Sequence, residues 1–177
     1  SSTEQIQQTF TSSGTTGIQT SKHLVTDISW YEMSYRLGFS EFYGNIEDYC
    51  VLALLPSYLE REGSSLIYMV EDLIQSSNHE NSGFYLHNYD ELILKLIELD
   101  NSGQNVILIG VTYALLDLIE KEKFQLKNTI IMETGGMKGF WSKQNTFRIW
   151  HDRITFASLF SWRWCFRMSS MDASSYS

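Results

Sequence analysis

"NVILIGVTYALLDLIEKEKFQLKNTIIMETGG", residues 105–136, is the stretch that decides the fold. Its two apolar runs, residues 105–113 and 128–136, are continuous rather than alternating, which is typical of strands buried on both faces. The segment between them, "ALLDLIEKEKF", has the apolar spacing of a helix. Strand, helix and strand in this order predict two parallel strands joined by a right-handed crossover.

The same alternation extends upstream of residue 105. "YCVLALLP" (49–56) and "GFYLHN" (83–88) have the pattern of strands, and "SKHLVTDISWYEMSYRLGFSEFYG" (21–44) reads as a short strand leading into an amphipathic helix. The expected fold class is therefore α/β, a mostly parallel sheet with helices on both faces.

Two further helices are predicted between these strands. "SYLEREGSSLIYMVEDLI" begins at a possible capping box, Ser57 with Glu60, and carries an apolar face. "YDELILKLIELDNSG" is expected to end at residues 101–103. The apolar faces of these two helices consist of Leu66, Val70 and Ile74 in the first and Leu92, Leu96 and Leu99 in the second.

Ligands of open parallel sheets bind beyond the carboxyl ends of the strands. In this chain those ends lead into "LPSYLEREGSS" (55–65), "GVTY" (110–113) and "ETGGMKG" (133–139). These three segments are therefore the first places to expect a site.

Composition bounds the remaining possibilities. The chain has 177 residues, with 43% hydrophobic and 19% charged residues, as expected for one globular domain or a piece of a larger one. It does not begin with Met, so a start inside a longer protein is expected. No apolar run approaches the roughly 20 residues of a membrane span. Of the two cysteines, Cys50 is expected to be a buried thiol, and a cytoplasmic setting is the default.

Charge is divided unevenly between a body, residues 1–139, and a tail, residues 140–177. The body carries 8 Lys and Arg against 19 Asp and Glu, a net of −11, whereas the tail carries 5 against 2, a net of +3. The body has no basic stripe that could neutralise phosphates along a strand, so nucleic acid is not an expected partner. The tail also holds four of the five Trp residues.

"FTSSGTTGIQTSK", residues 10–22, is the segment with the clearest chemical character. Glycines allow backbone N–H groups to point inward, hydroxyls add donors and a lysine adds a point charge, which together can hold a polyphosphate. The spacing is neither a Walker A loop nor a dinucleotide fingerprint. A flexible Ser/Thr/Gly linker is the alternative interpretation.

The sequence of residues 10–22 resembles the phosphate-binding loop of the acyl-adenylate-forming superfamily. Together with "SKH", "LLPSYLEREGSSL", "GVTYALLDL" and "IIMETGGMKG", it looks like the LuxE-type acyl-protein synthetases, over residues 10–139. The resemblance implies a fragment of an adenylate-forming N-terminal domain. It also implies the reaction, in which a fatty acid carboxylate attacks the α-phosphorus of ATP, pyrophosphate leaves, and the acyl group passes to a thiol. In luminous bacteria the acyl group feeds a reductase, which is a possible partner here.

The resemblance also assigns residues by motif. Lys22 and Thr16 are the expected catalytic residues. The glycine pair Gly135 and Gly136 is expected to lie against adenine. The substrate side is expected to include Ser57, Gly63 and Ser64. The expected ATP-binding residues are Ser12, Ser13, Gly14, Thr15, Thr16, Gly17, Lys22, Gly135 and Gly136.

The tail lacks the second hallmark of that superfamily, Tyr-Gly-x-Thr-Glu, whose Glu holds Mg²⁺. A permitted set of codons for residues 140–161, regrouped one base later, spells "SGVNKIHSEYGMTELLSQAYS", which contains the missing motif. The tail is therefore predicted to be read out of frame, and the chain to be inactive in acyl transfer. The alternatives are a basic aromatic tail lying on a membrane surface or a genuine core helix. Two other functions stay open, a non-catalytic nucleotide-binding remnant and an interaction module.

Overall fold

The computed structural model describes residues 5–11, 22–56 and 63–134, and the backbone of residues 158–161. The strands are β1 (Gln8–Thr11), β2 (Lys22–Val25), β3 (Tyr49–Leu54), β4 (Gly83–Tyr85), β5 (Asn105–Gly110), β6 (Thr129–Glu133) and β7 (Ser158–Ser161). The helices are α1 (Ile28–Tyr43), α2 (Ser65–Ser77), α3 (Tyr89–Ser102) and α4 (Thr112–Lys121), with a short 3-10 turn at Ile46–Asp48.

β3 to β7 form one sheet in the order β4-β3-β5-β6-β7, and every neighbouring pair is parallel. The chain steps one way from β3 to β4 and the other way from β4 to β5 and on to β6. Right-handed crossovers therefore place α2 on one face and α3 and α4 on the other. The predicted α/β class, a parallel sheet with helices on both faces, is confirmed.

The core is centred on β3 and β5. Every residue from Cys50 to Leu55 has no exposed surface, and β5 is almost as deeply covered. Burying a leucine such as Leu52 or Leu108 stabilises the fold by about 1.5–3 kcal/mol relative to leaving it in water. The predicted burial of the Cys50 thiol is confirmed, and that burial raises its pKa.

The predicted helix faces are mostly confirmed. Leu92, Leu96 and Leu99 of α3 are all buried, and α3 is followed by Gly103 with a φ of +83°, where the sequence predicted a stop. The predicted start of α2 at Ser57 is wrong. Ser64, not Ser57, caps α2, because its hydroxyl accepts from the Ile67 amide at 3.3 Å, and Gly63 before it is left-handed at φ +79°.

Within the described ranges, no helix combines the length and the apolar character that crossing a membrane requires.

A polar network joins α1 to α2. Arg36 donates to both carboxylate oxygens of Asp72, at 2.9 and 2.6 Å, and also approaches Glu32 at 3.4 Å. The Tyr68 hydroxyl donates to Glu32 at 2.6 Å, and this bond, with burial, raises the pKa of Tyr68 to about 12. Burial alone would raise the pKa of Asp72, but the bond from Arg36 and the neighbouring Tyr35 outweigh it and lower that pKa.

The Arg36–Asp72 pair therefore makes a pH-dependent contribution to stability. Because the pKa of Asp72 is lower in the folded state than its unfolded value of about 3.9, the contribution is fully present above that pH. It is lost as pH falls through the folded pKa. A double-mutant cycle of Arg36→Ala and Asp72→Ala is expected to give a coupling of about 1 kcal/mol at pH 7, since Arg36 is half exposed.

Urea unfolding of the four proteins at pH 7 and pH 2.5 measures this coupling. The Lys95–Glu98 pair of α3, with Glu98 71% exposed, is the matched control and is expected to give under about 0.5 kcal/mol. A coupling that is the same at both pH values would contradict the assignment.

β7 lies in the tail and pairs with β6 from Ile130↔Ser158 to Glu133↔Ser161. It extends the parallel sheet by one edge strand, a strand that the sequence did not predict. This pairing does not test the prediction that residues 140–177 are read out of frame, which stays a prediction.

Candidate active site at the carboxyl edge of the sheet

Three strands end side by side at one edge of the sheet. Leu54 of β3 pairs with Gly110 of β5, and Gly110 pairs with Glu133 of β6. The segments that follow these strands are the three that the sequence singled out. The described part of each segment begins at this carboxyl edge.

The end of β5 is closely packed. A Cβ atom built on Gly110 would lie 2.7 Å from both Cγ and Cδ2 of Leu115, a buried residue of α4. The Gly110 carbonyl accepts from the Thr134 amide at 3.0 Å. The hydrogen bond from Thr134 thus holds the first residue after β6 at the end of β5.

Thr112 and Glu133 form a polar pair at this edge. Thr112, the first residue of α4, is 2% exposed, and its hydroxyl donates to the Glu133 carboxylate. This bond fixes a carboxylate two positions before Gly135, the first of the predicted adenine-binding glycines. The sequence contained both residues in its candidate segments but gave no sign that they meet, because their pairing depends on the β5–β6 register.

Residues 12–21, called the Ser/Thr/Gly segment below, connect the two strands of a hairpin. β1 and β2 are antiparallel, with Thr11 opposite Lys22 and Phe10 opposite His23. The ten residues between Thr11 and Lys22 therefore begin and end at one paired position. Lys22 is exposed at the start of β2. The sequence predicted β2 but treated β1 as part of the loop.

An aromatic cluster holds this hairpin on α1 and α2. The Phe10 ring is 6% exposed and lies 5.3 Å from Tyr31 and 5.7 Å from Tyr68, measured between ring centroids. The Tyr31 hydroxyl donates to the Ser65 carbonyl at 2.9 Å, in the first turn of α2. Aromatic pairs of this kind each add about 0.5–1.5 kcal/mol beyond the area they bury.

The hairpin also bonds directly to the chain before α2. The Thr11 amide donates to the Gly63 carbonyl at 2.8 Å. Because α2 follows β3 and runs back along it, the N-terminus of α2 lies at the carboxyl edge of the sheet. The loop end of the hairpin, at Thr11 and Lys22, is therefore brought to the edge where β3, β5 and β6 end.

The structure describes some of the predicted site residues. Lys22, Gly63 and Ser64 are described, and Ser64 serves as the N-cap of α2. The predicted phosphate-binding residues other than Lys22, the predicted adenine-binding glycines and one predicted substrate residue lie outside the described ranges. These residues are Ser12, Ser13, Gly14, Thr15, Thr16, Gly17, Gly135, Gly136 and Ser57. The described chain reaches Thr134, immediately before the glycine pair.

Among the described residues, no group of three or more His, Cys, Asp and Glu is arranged to hold a metal ion. Glu133 is a single carboxylate, already bonded to Thr112, and does not by itself form a magnesium site.

Comparison of the chain with protein-family models, with curated proteins and with solved structures gives no match in any of the three. The candidate site therefore stands on the chain's own residues and geometry.

Proposed function

We propose that this fold serves ATP-dependent activation of a fatty acid as an acyl-adenylate, with transfer of the acyl group to a thiol. This is the reaction of the acyl-protein synthetases that the sequence resembles. The observation that supports it best is the position of the two residues at which the Ser/Thr/Gly segment begins and ends. Its two ends, Thr11 and Lys22, are paired across a hairpin, and Thr11 is bonded to Gly63 at the start of α2.

The proposed chemistry is what the resemblance implies for these residues. Amide and hydroxyl donors of residues 12–17, with the ammonium of Lys22, bind the β- and γ-phosphates of ATP and stabilise charge as pyrophosphate leaves. Lys22 and Thr16 are the proposed catalytic groups. The fatty acid carboxylate enters beside Gly63 and Ser64. The proposed setting is the cytoplasm, where ATP is available, and an acyl-accepting reductase is a proposed partner.

The chain is expected to bind ATP without completing the reaction. The tail contains no Tyr-Gly-x-Thr-Glu, which in the superfamily supplies the magnesium-holding Glu. Without that Glu, several kcal/mol of transition-state stabilisation are absent, equivalent to a rate loss of about a thousandfold or more. The proposed function of the present chain is therefore nucleotide binding by an adenylate-forming domain.

Lys22→Ala is expected to weaken ATP binding by about tenfold, because it removes one charge-assisted contact to phosphate. Isothermal titration with ATP measures the dissociation constant. Lys123→Ala is the matched control, since Lys123 is an exposed lysine after the C-terminus of α4, at the opposite edge of the sheet. Equal affinities for both variants would remove Lys22 from the site.

ATP–pyrophosphate exchange with a panel of fatty acids tests the catalytic half of the proposal. No exchange is expected for the present chain, and exchange is expected for a chain in which residues 140–161 are replaced by "SGVNKIHSEYGMTELLSQAYS". Exchange by the present chain alone would contradict the predicted role of the missing motif.

An exposed apolar face on α1 favours a second candidate function, that of an interaction module. Trp30, Met33 and Leu37 recur at positions i, i+3 and i+7 and are 67%, 44% and 63% exposed. Contiguous apolar patches of this kind are typical of protein-binding surfaces. The ATP titration discriminates between the two functions, because a pure interaction module leaves the nucleotide unbound.

A further inference from the structure

Gly63 is the joint at which the β1–β2 hairpin meets α2. Its carbonyl accepts the Thr11 amide at 2.8 Å, and Ser64, the next residue, caps α2. Thr11 is in turn the cross-strand partner of Lys22. One backbone hydrogen bond therefore connects the start of a helix to both ends of the Ser/Thr/Gly segment.

The joint has no room for a side chain. A Cβ atom on Gly63 would lie 3.1 Å from Oγ1 and 3.4 Å from Cγ2 of Thr11, and 3.2 Å from the Thr9 carbonyl oxygen. The residue also has a φ of +79°, which glycine adopts at little cost. A residue with a side chain at position 63 would push β1 away from α2 by a few tenths of an ångström.

We propose that Gly63 is a positioning residue for ATP, which acts by holding Thr11, and through it Lys22, against the N-terminus of α2. The proposal rests on the function proposed above and gives Gly63, already placed on the substrate side, a second role. A phosphate cradle built from main-chain amides and a lysine works only when its ends are held in place, because catalytic and binding contacts weaken steeply with small misplacements.

The matched pair Gly63→Ala and Gly103→Ala tests this role. Gly103 has nearly the same φ, +83°, but a Cβ atom there meets nothing within 4 Å. Both substitutions are expected to lower Tm, since both force alanine into the left-handed region, and Gly63→Ala is expected to lower it further because its methyl group also meets Thr11 and Thr9. Only Gly63→Ala is expected to weaken ATP binding, by about tenfold, whereas Gly103→Ala changes the dissociation constant less than about twofold.

A second measurement follows the joint without ATP. Hydrogen exchange of the Thr11 amide is expected to be slow in the unsubstituted chain and in Gly103→Ala, and at least about tenfold faster in Gly63→Ala. Thr11→Ala added to Gly63→Ala removes two of the three close contacts and is expected to restore about threefold of the lost ATP affinity. This double variant also keeps the test decisive if the single variant does not fold.

The outcomes separate the two proposals. No ATP binding by the unsubstituted chain would overturn the proposed function and the positioning role together. Normal ATP binding by the unsubstituted chain, with equal affinities for Gly63→Ala and Gly103→Ala, would overturn the positioning role alone. Unchanged exchange of the Thr11 amide in Gly63→Ala would do the same.

Discussion

Asp100→Ala is expected to lower the free energy of unfolding by about 3–4 kcal/mol, the largest effect of any single substitution considered. Asp100 is 4% exposed, and its carboxylate accepts from the amides of Lys127 and Asn128 and from the Thr129 hydroxyl, at 2.8–3.1 Å. Thr129 has no exposed surface. Removing the carboxylate leaves the buried Thr129 hydroxyl and two part-buried backbone amides without an acceptor, and the cost is the loss of several charge-assisted bonds.

Urea unfolding measures this loss, and Glu98→Ala is the control on the same helix. Glu98 is 71% exposed and pairs only with Lys95 in the described part of the chain, so a change of under about 0.5 kcal/mol is expected. Asp100→Asn is expected to fall between the two, because the amide keeps one acceptor oxygen. Equal losses for Asp100→Ala and Glu98→Ala would show that the network does not anchor β6.

The Asp100 network also bears on the candidate site. It holds residues 127–129, which lead into β6, and β6 ends at Glu133 beside Thr112. Faster hydrogen exchange in β6 than in β3 is therefore expected for Asp100→Ala, because the substitution loosens the strand at its start.

Gly110→Ala is expected to cost about 2–3 kcal/mol, the second largest effect. The added methyl group meets Leu115 at 2.7 Å, and Leu115 is 1% exposed, so it cannot move aside without disturbing the core. The substitution also displaces the carbonyl that receives Thr134, so it changes the exit of the chain toward Gly135.

Gly83→Ala is the matched control, since it also places alanine at a strand glycine but meets nothing within 4 Å. A change of under about 0.5 kcal/mol is expected there. The pair Gly110→Ala and Leu115→Ala is expected to be non-additive by about 1–2 kcal/mol, because the smaller residue at 115 makes room for the new methyl group. Thermal unfolding of the four variants, Gly83→Ala, Gly110→Ala, Leu115→Ala and the double variant at 110 and 115, measures both effects, and strict additivity would contradict the contact.

The sequence determined four of the five strands of the parallel sheet, β3 to β6, and most of the helices that cover it. Continuous apolar runs such as "VILIG" and "CVLALL" indicate strands that are buried on both faces. The helical spacing of apolar residues within 89–103 indicates which side of that helix faces the strands. The end of α3 could also be predicted, because Gly103 is suited to a left-handed residue after a helix. These are local signals, and they do not depend on what the chain meets elsewhere.

The start of α2 could not be assigned from the same kind of signal. The capping-box pattern of Ser57 with Glu60 predicts an earlier start, whereas the hydroxyl of Ser64 caps the helix. Gly63 decides between them, because its carbonyl is held by Thr11, more than fifty residues earlier, and its left-handed backbone starts the helix after it. The signal for β1 was weak for the same reason, since a strand of four polar and aromatic residues gains its burial from Tyr31 and Tyr68.

The candidate site divides in the same way. Residue types and order alone gave the Ser/Thr/Gly segment, Lys22 and the strand ends, because donors, glycines and a cation carry phosphate chemistry wherever they lie. Tertiary structure alone decided three contacts. Thr112 bonds to Glu133, Asp100 accepts hydrogen bonds from residues 127–129, and Thr11 bonds to Gly63. Each of these contacts joins residues 21 to 52 positions apart, and only the register of parallel strands and the packing of helices on them sets such distances.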